Sequence, residues 1–122
     1  MEIAENELLF IYDSNDLQDR EALAYAQSLK NYQVKTLDVR AHTFTEWQLQ
    51  EILERLEVEP EDLINRRSAV YLKEYVGVEL DREDTLKAIR KHTDLIKTPV
   101  VIYHDSARLI GSSYELIKKD MS

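Results

Sequence analysis

The chain has 122 residues, with 24 Asp plus Glu against 16 Lys plus Arg, a formal net charge of -8 and no cysteine. A chain of this length is normally one domain burying roughly two-thirds of its unfolded surface, and its acidity repels phosphate backbones and anionic lipid, which argues against nucleic acid and membrane partners. The missing cysteines remove disulfides, thiolate metal sites and thiol nucleophiles together.

No apolar run approaches the roughly 20 residues that a membrane helix needs. The start Met1-Glu2-Ile3-Ala4-Glu5 lacks a basic region followed by an apolar stretch, so a single cytoplasmic domain over residues 1–122 is expected. Two Gly and two Pro in the whole chain leave little room for linkers.

Leu8-Leu9-Phe10-Ile11-Tyr12 is a short apolar run that stops at Asp13-Ser14-Asn15-Asp16, the pattern of a buried strand meeting a turn. Beyond the turn, Ala22, Tyr25, Ala26 and Leu29 fall at i, i+3, i+4, i+7 and predict an amphipathic helix from about Leu17 to Lys30. Val34 to Val39 reads as a second strand, and strand, helix, strand in this order favours a parallel pair with a right-handed crossover. Thr45 as N-cap, Gln48 three residues on, and Phe44 opposite Leu49 predict a capping box and a hydrophobic staple. Leu49, Ile52, Leu53 and Leu56 then supply that helix's inner face. Pro60 suits the first turn of a short helix, Val70 to Tyr75 predicts another, and Asp81 with Asp84 opens one more that carries Leu86 and Ile89 inward and ends near Lys91 or His92. Val100 to Tyr103, the polar group His104-Asp105-Ser106, and Arg108-Leu109-Ile110 form a predicted hairpin, with a closing helix over Ser113 to Lys119.

Three stretches carry a family resemblance. Leu63-Ile64-Asn65-Arg66-Arg67-Ser68, followed by Tyr71 and Lys73-Glu74, resembles the Leu-Leu-Asn-Thr-Arg-Gly block and trailing Tyr-Arg-Glu of the arsenate reductase and Spx-like family. Leu95-Ile96-Lys97-Thr98-Pro99-Val100-Val101 is similar to its Leu-Ile-Lys-Arg-Pro-Ile-Val block, and Tyr12-Asp13-Ser14 sits where its first strand enters the active-site loop. The resemblance spans nearly the whole chain and implies an α/β, thioredoxin-like fold: βαβ, a helical insertion over about 44–92, then ββα, on a single four-stranded mixed sheet flanked by helices.

By that resemblance Leu17 occupies the position of the catalytic cysteine, and Arg20 that of the second cysteine of the redox-sensing branch. Neither can form a thiolate, the species that attacks in arsenate reduction and disulfide exchange, so a protein thiol cannot carry that activity here. The family's oxyanion-holding arginines map to Asn65, Thr98 and Gly111, although Asn also occurs in many members at the Asn65 position, and Arg67 and Arg108 are the nearest remaining cations. The former active-site groove is accordingly expected around Leu17, Arg20, Asn65, Arg67, Thr98, Pro99 and Gly111. The resemblance also implies a cis bond before Pro99, where X-Pro bonds in general are cis in only about 5% of cases. Asp13, Asp16, Asp19 and Glu21 crowd the start of the first helix. At an effective dielectric near 20, one carboxylate about 5 Å from a dianion costs on the order of several kcal/mol, so arsenate or phosphate should be a poor ligand. These acids read first as a capped, charge-complemented helix start, without an apolar pocket visible from sequence to tune them as acids or bases.

Other constellations have plainer readings. His42, His92 and His104 are far apart and show no metal-ligand spacing, so no metal is expected. Asp13 to Asp19 lacks the Gly and ligand pattern of a calcium loop, and His104-Asp105-Ser106 are neighbours on a turn, unable to meet as a catalytic relay. Arg66-Arg67 and Lys118-Lys119 read as solvated charge, while Phe44, Trp47 and Tyr71 read as core or staple residues. No cofactor is expected. The favoured function is a protein-interaction or regulatory module that uses the former groove. The alternatives are an enzyme that borrows the thiol of glutathione, although glutathione binding is not expected, and a protein related to arsenate reductases by ancestry only.

Overall fold

The first strand, β1 (Glu7–Tyr12), lies at the centre of a four-stranded sheet of order β2-β1-β3-β4, completed by β2 (Gln33–Asp38), β3 (Val100–Ile102) and β4 (Ala107–Leu109). The computed structural model describes residues 2–110. β2 runs parallel to β1, from Glu7 opposite Gln33 to Tyr12 opposite Asp38, with helix α1 (Leu17–Ser28) as the crossover. β3 is antiparallel to β1 with Phe10 opposite Val101, and the β3–β4 hairpin pairs Val101 with Arg108. The sheet is mixed, as the chain order predicted.

The unbroken apolar run in β1 follows from burial on both faces. Side chains alternate along a strand. Leu8 and Phe10 therefore pack with Val101, Ile110 and the two α1 alanines, Ala22 and Ala26. Ile11 points to the other face and joins Val100, Ile102 and the larger cluster built on the helices between β2 and β3. Ala22 and Ala26 are almost fully buried, and their small side chains let α1 lie close against the sheet.

Helix α2 (Glu46–Leu56) starts as expected: Thr45 and Gln48 form both halves of the capping box, and Phe44 and Leu49 are buried on either side of it. Trp47 departs from expectation. It is 77% exposed, because Leu49, Ile52 and Leu53 define the inner face and position 47 falls off it. Tyr71 packs only partly against the core.

Pro60 opens a short helix of 3-10 type, Pro60–Leu63, and α3 (Ala69–Glu74) and α4 (Arg82–Lys91) are capped by Ser68 and Asp81. After α4 the chain makes a second 3-10 turn, Thr93–Leu95, and then pairs Ile96 with Ile64 in an isolated antiparallel bridge. The Asn65 amide donates to the Leu95 carbonyl and the Lys97 amide to the Leu63 carbonyl, each at 2.7 Å. This bridge has no periodicity to announce it. It carries the Asn65–Arg67 stretch to the side of Thr98-Pro99, whose peptide bond is cis. The predicted closing helix over Ser113 to Lys119 and Gly111 lie outside the described residues. Among the described residues no helix is long and apolar enough to cross a membrane.

Candidate functional site

Parallel β1 and β2 end side by side, which brings Asp38 and Arg40 to the loop between β1 and α1. That loop is closed by the chain's own carboxylates. The Asp13 amide donates to Asp19 Oδ2 at 2.9 Å, the Ser14 amide to Asp38 Oδ1 at 3.2 Å, and the Asn15 amide to Asp13 Oδ1 at 2.9 Å. The Asp16 amide donates to the Asp13 carbonyl, and Asp16, as N-cap, accepts from the Asp19 amide at 3.0 Å. Arg40 grips Asp13 with two hydrogen bonds, Nε to Oδ1 at 2.9 Å and a terminal nitrogen to Oδ2 at 3.0 Å. Burial alone would raise Asp13, but the Arg40 guanidinium and the Asn15 amide hold it below the usual carboxylate range. Burial likewise opposes ionisation of Asp38, which hydrogen bonds from Ser14 and the Arg40 amide nevertheless hold below the usual range. Backbone amides at a strand-to-helix turn ordinarily offer a seat to an external anion. Here aspartates are in that seat.

Asp19 differs from its neighbours. Its side chain is turned inward, only 1% exposed, where Oδ2 accepts the Thr98 hydroxyl at 2.5 Å as well as the Asp13 amide. Burial pushes its carboxyl up to about 6, against those two hydrogen bonds and with the help of the nearby Asp16 and Asp13 charges. The expectation that no acid here sits in a desolvating pocket is therefore corrected. Asp19 is an aspartate on the inner side of α1, and the Ala22–Ala26 pair, one turn apart, gave the phase that could have revealed it one turn earlier.

An open cleft adjoins the junction. Asn65, Arg67 and Thr98 of the expected groove line it, together with Lys97, Asp16 and Gln18, and Leu109 and Ile110 close its apolar side. Asn65 stands where it does because its side chain caps the turn, accepting from the Arg67 amide at 3.0 Å. Pro99 is buried beside the cleft. Leu17 and Arg20 are not among its lining: Leu17 is 61% exposed on the outer side of the helix start, and Arg20 is exposed too. The cleft is therefore not filled by Leu17. Arg108 lies on β4 and is exposed. Lys97, Asp38 and Arg40 escaped sequence reasoning because each reaches the site through pairing: Lys97 through the bridge, the other two through the parallel register.

The histidines are held apart. His42 Nε2 contacts Gln48 Oε1 at 3.2 Å, His92 lies 3.2 Å from Glu74, and His104 Nδ1 contacts the Ile3 carbonyl at 2.6 Å. His104 and Asp105 lie in the hairpin turn closed by the Tyr103 amide donating to the Ser106 carbonyl.

The backbone aligns over 95% of its length with 98% of an arsenate reductase from Vibrio cholerae, at a TM-score of 0.79 and 17% identity. The fold is that of the arsenate reductases. An arsenate reductase related protein from Brucella melitensis superposes over 87% of this chain and 88% of its own at a TM-score of 0.67 and 16% identity. No protein-family model and no curated sequence matches the chain. Identities this low establish the arsenate reductase fold and leave chemistry to the residues present. Those residues include no cysteine. Restoring a thiol with Leu17→Cys should leave arsenate reduction, coupled to glutaredoxin, at background, because the amides that would hold the oxyanion already serve Asp13, Asp19 and Asp38. Turnover above background in that variant would show that the closed loop is not the obstacle.

Proposed function

We propose that the protein is a binding module without thiol redox chemistry, which engages an acidic segment of a protein partner through the cleft beside Thr98-Pro99. One observation carries this reading: the loop's own amides are occupied by aspartates while the adjoining cleft stays open and carries Arg67 and Lys97. Two cations on a wall made of Asn65, Thr98 and the apolar Leu109 and Ile110 suit a carboxylate-bearing chain better than a reacting dianion, which would meet Asp16 at once.

The test is recovery of partners from the native cells with wild type, with Arg67→Glu/Lys97→Glu, and with Lys30→Glu/Lys87→Glu as an exposed pair of equal charge change. A partner retained by wild type and by the control, and lost from the cleft variant, is the expected result. A partner set unchanged by the cleft variant would sink the reading. Glutathione provides a second decision. A ligand at 100 times its dissociation constant adds about 2.7 kcal/mol of stability, so a clear thermal shift with glutathione would transfer the cleft to small-molecule chemistry.

A further inference from the structure

The bridge between Ile64 and Ile96 has two sides. Asn65, Arg67 and Lys97 line the cleft just described, while Ile64, Arg66 and Leu95 line the other side. On that other side lies a second groove of about 610 Å³, between the Pro60–Leu63 turn, α3 and the start of α4. Its floor is apolar, made by the buried Ile64 and Leu95, the half-buried Tyr71, Tyr75 and Leu80, and Val78. Its rim is acidic: Glu61, Glu79, Asp81 and Asp84, against the single cation Arg66 among the described lining residues.

The apolar surface extends beyond the groove. Leu72 and Val76, at i and i+4 beside the tyrosines, are 60% and 59% exposed, and Val78 is 51% exposed. These are large side chains in water, whereas the other exposed large apolar residues among the described residues, Leu17 and Trp47, stand singly on other helices. A small organic cation seated in the groove would leave Leu72 and Val76 in water. An amphipathic helix would cover both, laying its apolar side chains at i, i+3 and i+4 over the tyrosines, Val78 and the outer face of α3. The acidic rim selects the sign of its flanks.

We propose that this groove on the helical insertion docks a basic amphipathic helix of a partner protein, with apolar anchors over Tyr71, Tyr75 and Val78 and Lys or Arg flanks against Glu61, Glu79 and Asp84. The proposal stands whether or not the cleft beside Pro99 binds anything, since the two sites share only the bridge.

The probe is a synthetic leucine-lysine peptide of about five helical turns with its leucines at helical spacing. Binding is read by fluorescence anisotropy at physiological ionic strength, and its site by backbone amide shifts in NMR. The shifts should cluster between residues 61 and 85. Glu61→Lys/Glu79→Lys should weaken binding by roughly tenfold, whereas Glu5→Lys/Glu21→Lys, equal in charge change and outside the groove, should alter it by less than about twofold. Leu72→Ser/Val78→Ser, at positions too exposed to disturb folding, should weaken it by roughly fivefold. A peptide with the same composition and scrambled leucines should bind at least about fivefold more weakly than the helical one. Equal losses in the two charge variants would reduce the effect to the general acidity of the chain and overturn the proposal. So would shifts centred elsewhere, equal binding of a leucine-glutamate peptide, or absence of binding.

Discussion

Asp19→Asn should make the protein more stable at neutral pH, by about 2 to 3 kcal/mol. The Asp19 carboxyl is held near 6 in the folded chain against 3.8 when free, and each pKa unit corresponds to about 1.4 kcal/mol. The sign follows from proton counting. Between those two values the folded state binds more protons than the unfolded one, so stability falls as pH rises, and the full cost of a buried charge is present above about pH 7. Asn keeps an oxygen for the Asp13 amide and the Thr98 hydroxyl but has no charge to desolvate or to be repelled by Asp13 and Asp16. The gain should be largest above pH 7 and shrink toward zero near pH 4, where the wild-type carboxyl is protonated in the folded state. Urea unfolding of both proteins across that range is the measurement. A variant less stable than wild type at pH 7.5 would show that the carboxylate is favoured where it lies, and that its hydrogen bonds outweigh its burial.

Phe10→Ala should cost about 3 to 5 kcal/mol and lower the Tm by at least about 10 °C. Phe10 has no exposed surface, sits at the middle of the central strand and is packed by Leu8, Val101, Ile110 and the α1 alanines. Alanines cannot reach in to fill the space a lost ring leaves, and strands on both sides of β1 fix the backbone through paired hydrogen bonds. Leu17→Ser provides the contrast: a residue 61% exposed at a helix start should change stability by no more than about 0.5 kcal/mol. Thermal unfolding of the two variants compares them directly. A loss below about 1 kcal/mol for Phe10→Ala would mean that the sheet and α1 close over the gap.

What could be read in advance follows physical lines. Elements with local signals were legible: the apolar run of β1, the Thr45–Gln48 box, the Asp81 cap and the polar hairpin turn at His104–Ser106 all declare themselves within a few residues. The order of these elements, with the Asn65 and Thr98-Pro99 blocks, pointed to the thioredoxin-like arrangement and to the cis bond now seen. Contacts made by pairing across long stretches of chain were not legible. Arg40 reaches Asp13, and Thr98 reaches Asp19, only because a parallel register and an isolated bridge bring them together. Trp47 was misread for a related reason: aromatic character suggested burial, whereas helical phase decides it. Leu17 was correctly placed at the helix start, yet nothing in its neighbours told which way it turns.

The occupied loop also bears on how such a junction changes over generations. Asp19 and Asp38 each close a part-buried backbone donor, and removing either acceptor outright strands that amide at about 1 to 3 kcal/mol. A chain changing toward an open, anion-receiving turn would have to cross that loss twice before any ligand compensated it. The junction is closed in a way that single substitutions are slow to undo.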